Sequence, residues 1–215
     1  MIGQFINASI CILFSIFSCN SSIPLTQTQT DQEMLIPTIT NEFEKFDTYK
    51  FDSSLKVNIE TKQDGTYIER ERQSYGYITR IYNPQSYFII IKQFYDNGFI
   101  KEKGVVFNSG YFTIGPWYSF NKQGILEKTV NNDNGYTYSF QDLFKYLNSQ
   151  KIGLSIGRIE LYSGIHTTIE KESIIPGSPV WKIRWQKEPQ LIEEIIMDGK
   201  NGNVISKHNV LIKEG

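Results

Sequence analysis

The chain has 215 residues and a formal net charge of −1, which argues against a nucleic-acid-binding surface, since that needs a basic excess. Fourteen Phe, thirteen Tyr and three Trp make it rich in strand formers. It contains only two cysteines, Cys11 and Cys19, and both lie near the start, so the body has neither a disulfide framework nor a thiolate metal site.

In chain order, the first element is "MIGQFINASICILFSIFSC". It carries no Asp, Glu, Lys or Arg before Cys19, and its apolar run "ICILFSIF" is too short to span a bilayer. Residues 1–18 therefore read as a signal peptide. "IFSC", Ile16 to Cys19, resembles the lipobox of bacterial lipoproteins. That resemblance implies a lipid on Cys19, membrane anchoring, and an envelope location facing the periplasm or the exterior. Polar residues over 19–40 read as a tether.

Residues 41–135 read as an antiparallel meander. "TNEFEKFDTYKF" suits either a short helix or an entry strand. Leu55, Val57 and Ile59 alternate with polar residues, and Asp64-Gly65 marks a hairpin. Strand-like segments then follow, separated by polar turns that end in Gly. "FYDNGFIKEKG" from Phe94 and "FNKQGILEKTV" from Phe120 look alike. With "GPWYSF", they resemble MORN-type repeats of a bacterial toxin–antitoxin component family, over about residues 87–130. The resemblance implies a toxin-neutralising or other protein-binding role.

Residues 136–215 read as one helix and a second antiparallel sheet. "FQDLFKYLNSQ" places Phe140, Leu143, Phe144 and Leu147 on one helical face, with Ser139 as N-cap and Gly153 as exit. "PVWKIRW" and "MDGKNGNVIS" complete a pattern that is similar to the PepSY-like fold, which implies an inhibitory or binding module. The expected fold class is α+β: meander hairpins, then one main helix packed on a second sheet.

"GLSIG", Gly153 to Gly157, fits G-x-S-x-G, but a nucleophile elbow needs a strand before the serine and a helix after it. Here the helix comes first, so the stretch reads as a flexible connection, and the catalytic set is expected to be empty. The alternatives are a serine hydrolase using Ser155 with Asp198 and His208, an acid pair near Glu193 in "EPQLIEE", or a purely structural envelope protein. His166 and His208 lack metal-ligand spacing, so no metal or cofactor is expected. The charges of "IERER" read as cross-strand ion pairs. Trp117, Trp181 and Trp185 read first as core. The alternative is a binding surface made of Trp117, Tyr118, Trp181, Trp185 and His166. The expected function is non-enzymatic binding of a protein partner, with the membrane reached through the N-terminal lipid.

Overall fold

The structure is a computed structural model that describes residues 34, 36–51, 54–110, 112–159, 164 and 166–211. The signal peptide, Cys19 and most of the tether lie outside these residues, as does much of "RIELY". Among the described residues no helix is long and apolar enough to cross a membrane.

Seven strands form a sheet in strict sequence order: β1 (Val57–Thr61), β2 (Tyr67–Gln73), β3 (Gly76–Tyr82), β4 (Phe88–Phe94), β5 (Ile100–Phe107), β6 (Thr113–Phe120) and β7 (Leu126–Asn131). Helix α1 (Phe140–Ser149) follows. Strands β8 (Thr168–Ser173), β9 (Pro179–Glu188), β10 (Leu191–Asp198) and β11 (Val204–Leu211) then make a second antiparallel sheet, ordered β11-β10-β9-β8. The fold is α+β, mostly antiparallel sheet.

Three turns of the meander share one geometry. The Lys62, Tyr95 and Asn121 amides donate to the carbonyls of Thr66, Phe99 and Ile125, four residues on. Gly65, Gly98 and Gly124 accept the left-handed conformation, at φ 81°, 81° and 80°, that closes each turn. The two similar sequence units are therefore two of three matching turns. They are also cross-tied: Tyr95 Oη donates to the Phe120 carbonyl at 2.8 Å, and Asn97 Nδ2 to the Lys122 carbonyl at 3.0 Å.

Helix α1 starts where its sequence says. Ser139 and Asp142 close a capping box. Its end comes earlier than Gly153, because Lys151 takes the left-handed position at φ 58°. Lys151 N donates to the Asn148 carbonyl and Ile152 N to the Leu147 carbonyl, while Ile152 and Leu147 are both buried. That pattern is a Schellman motif with an apolar clasp, and it stops the helix without glycine.

One face of the large sheet carries, along β4 and β5, the opposed pairs Phe88–Phe107, Ile90–Val105, Lys92–Lys103 and Phe94–Ile100. The first two belong to a core shared with Phe140, Leu143 and Leu147 of α1 and with Ile169, Trp181, Ile183 and Ile195 of the second sheet. Residues 34–215 form one compact unit around this core. The last pair belongs to a separate aromatic cluster with Phe46, Phe51, Tyr77 and Phe120. "TNEFEKFDTYKF" is neither helix nor full strand. Its middle is a strap that meets the sheet at a single bridge, Lys45–Phe99.

Between the two clusters lies a charged layer. Lys103 is wholly buried, donating to Glu44 Oε1 at 2.6 Å and to the Glu42 carbonyl at 2.7 Å. Glu44 also pairs with Lys92. Burial pulls the Glu44 carboxyl upward, but the hydrogen bonds from Lys103 and Lys92 outweigh it and hold it below its usual range. A second lysine joins the two sheets. Lys171 Nζ donates to Asp133 Oδ1 at 2.7 Å and sits over the rings of Phe112, Tyr136 and Trp181. Burial in that cage pushes its ammonium down, against the pull of Asp133.

Candidate binding surfaces

The five candidate surface residues do not share one face. Trp181 is 1 % exposed, contacts the rings of Phe112, Tyr136 and Phe140, and donates from Nε1 to the Tyr138 carbonyl. It is core and offers nothing to a partner; strand alternation turns it toward α1. Trp117 is half-buried. Its ring lies so close on β5 that a Cβ at Gly104 would come within 1.8 Å of it, and its Nε1 donates to Glu102. Tyr118, its strand neighbour, points to the opposite face and packs on the aromatic cluster. Trp185 is half-buried and donates to Glu193 Oε2 at 3.1 Å.

His166 stands just before β8, and it is the histidine that reaches Ser155: Oγ and Nδ1 lie 2.7 Å apart. His208 instead sits exposed on β11 opposite Glu194, and Asp198 accepts from the Lys200 and Asn201 amides of its own turn. The Ser155–His208–Asp198 set of the alternative hydrolase reading is therefore not assembled. Around Ser155 the chain is fastened rather than loose. Asn108 Nδ2 donates to the carbonyls of Ser155 and Gly157, Thr167 Oγ1 to that of Gly153, and Gly157 N to that of Ser86. Ser155 lies in coil, and among the described residues no helix follows it to form the strained elbow that would present its hydroxyl.

The Ser155–His166 hydrogen bond is one of several contacts that hold the connection in place. Ser155→Ala is expected to cost about 1 kcal/mol or less, the net worth of one hydrogen bond. A fluorophosphonate probe should leave Ser155 unlabelled. Labelling that disappears in His166→Ala would mark a nucleophile instead.

The carboxylates of "EPQLIEE" also part company. Glu193 is buried on the inner face, held by Trp185 and by Lys187 at 2.8 Å. Burial raises its carboxyl, but the hydrogen bonds from Lys187 and Trp185 carry it below the usual range. Glu194 faces the other way and lies 3.6 Å from Arg184. Acid–base chemistry by a pair needs two carboxylates facing one space, and alternation along β10 separates these. On β2 the charges of "IERER" do cross strands, as Arg70–Glu60 at 2.7 Å and Glu71–Arg80 at 3.1 Å. Among the described residues no group of three His, Cys, Asp or Glu side chains is placed to hold a metal ion.

The surface that sequence reasoning missed is the outer edge of the second sheet. Among the described residues strand β11 is paired on one side only, with β10. Val204, Ile205, Val210 and Leu211 are exposed on it, Leu211 at 74 %. Part of the signal was present in "NVISKHNVLIK", whose apolar–polar–apolar pattern marks a strand with aliphatic side chains at both ends. No family model, curated protein or solved structure matches the chain.

Proposed function

We propose that this protein is a lipid-anchored lipoprotein of the bacterial cell envelope that binds another protein, in the manner of an immunity or inhibitor module, and carries out no reaction of its own. The observation that carries the binding reading is the free edge of β11. An eight-residue strand whose outer backbone groups have no partner among the described residues, and which carries four exposed aliphatic side chains, is a template for strand addition. Most natural edges are blunted by charge, proline or a bulge. Among the described residues of β11 such devices are Lys207 and a bulge at Ile205, the extra residue between Val204 and Ser206, and exposed aliphatic side chains remain toward both ends. Anchoring is supported by "IFSC" and by the polar stretch after it, which supplies the reach a tethered binder needs.

The test is affinity recovery of the tagged full-length chain from its own cells, alongside the double variant Ile205→Lys, Leu211→Lys, with the intact mass of the mature N-terminus read from the same material. One stoichiometric partner, lost in the variant, on a chain that begins with acylated Cys19, supports the proposal. Equal recovery by both chains, or no partner, overturns the binding reading. A mass without lipid overturns the anchor.

A further inference from the structure

The geometry points to a second binding site, on residues other than β11, that takes a carboxylate side chain from an extended acidic segment of a protein partner. At the end of the β2–β3 hairpin is an open cavity of about 460 Å³ whose walls include Glu71, Arg72, Tyr75, Tyr77, Gln93 and Lys101. Its cations are set out in advance. Arg72 donates to Tyr77 Oη at 2.6 Å and lies 4.9 Å from the centre of that ring. Tyr77 is itself buried and stacked on Phe46, so the guanidinium rests on a fixed support, with N–H groups that meet no other acceptor among the described residues. Lys101 stands at the β4–β5 bulge, where Ile100 pairs with Phe94 and Glu102 with Gln93, leaving Lys101 the extra residue. It is exposed. Among the described residues neither cation has an ion pair.

The single carboxylate in the wall, Glu71, is already taken by Arg80 at 3.1 Å. With that charge already matched, Arg72 and Lys101 line the same cavity as two cations open to an anionic group. Tyr75 decides for a peptide. It occupies the tip of the two-residue turn between Gln73 and Gly76 and is 88 % exposed. Such tips favour Asn, Asp and Gly, so an aromatic there does nothing for the turn and offers its ring to an incoming chain.

The test uses the full-length chain and an N-acetylated eight-residue Glu/Gly peptide, titrated by calorimetry at low salt, with a Lys/Gly peptide of equal length as control. Saturable binding of the acidic peptide alone is expected. Arg72→Gln with Lys101→Gln should weaken it by about tenfold or more, equivalent to about 1.4 kcal/mol. Tyr75→Ala should weaken it severalfold, and all these variants should keep the parent melting temperature because the side chains are at the surface. Absence of saturable binding, equal binding in the double variant, or displacement of the peptide by inorganic phosphate at equal concentration each overturns the inference. Because β11 is untouched, failure here leaves the strand-addition reading standing, and failure at β11 leaves this site standing.

Discussion

Trp181→Ala is expected to destabilise the protein by about 4 kcal/mol, within the range for removing a large aromatic from a core. The side chain is 1 % exposed and stands where the helix and the two sheets meet. Its removal leaves Phe112, Tyr136 and Phe140 facing a void, strips the Tyr138 carbonyl of its donor, and takes one wall from the Lys171 cage. Urea unfolding followed by far-ultraviolet circular dichroism measures the loss. Because the core is shared, the transition should remain single as its midpoint drops. Two separated transitions would show that residues 41–135 and 136–215 are held together more weakly than the shared core requires.

The second large effect belongs to the charged layer under the strap. Glu44→Gln is expected to cost about 2–3 kcal/mol at pH 7, because it leaves Lys103 buried without its carboxylate. The figure is set below the usual cost of breaking a buried pair, since Glu44 is 32 % exposed and Lys103 keeps the Glu42 carbonyl. The sign of the pH dependence follows from the lowered folded-state value. In the unfolded chain Glu44 titrates near 4.5, and in the folded protein it titrates lower. Its contribution is therefore complete above the unfolded value and is lost as the pH falls through the folded one. Unfolding curves at pH 7 and pH 3 should show the wild type losing more stability to acid than Glu44→Gln does. Equal losses would mean that the pair contributes nothing.

Much of the fold could be read from the chain because its elements obey local rules. Alternation and Gly-ended turns marked the meander, and the 3.6-residue spacing of Phe140, Leu143, Phe144 and Leu147 marked α1. The helix end was displaced because a Schellman motif is fixed by the contact between Leu147 and Ile152, which can hold a lysine where glycine is usual. The strap was ambiguous because one bridge and one buried ion pair place it, and both depend on residues more than fifty positions away. Strand parity alone could have separated Trp117 from Tyr118 and Glu193 from Glu194. The approach of His166 to Ser155 could not be foreseen in that way, since it depends on Asn108 pinning the connection from another element. The apolar pattern of β11 was legible in its own residues, but its place at the sheet edge needed the strand order.

The most direct test of the account is amide hydrogen exchange on β11, with and without the partner recovered from the source cells. Backbone groups that face away from β10 have no partner among the described residues, so alternate amides from Val204 to Leu211 should exchange fast in the free protein. In the complex the same amides should slow by about 100-fold or more if they enter a new ladder. Slowing confined to other surfaces, with β11 unchanged, would contradict strand addition as the way this protein binds.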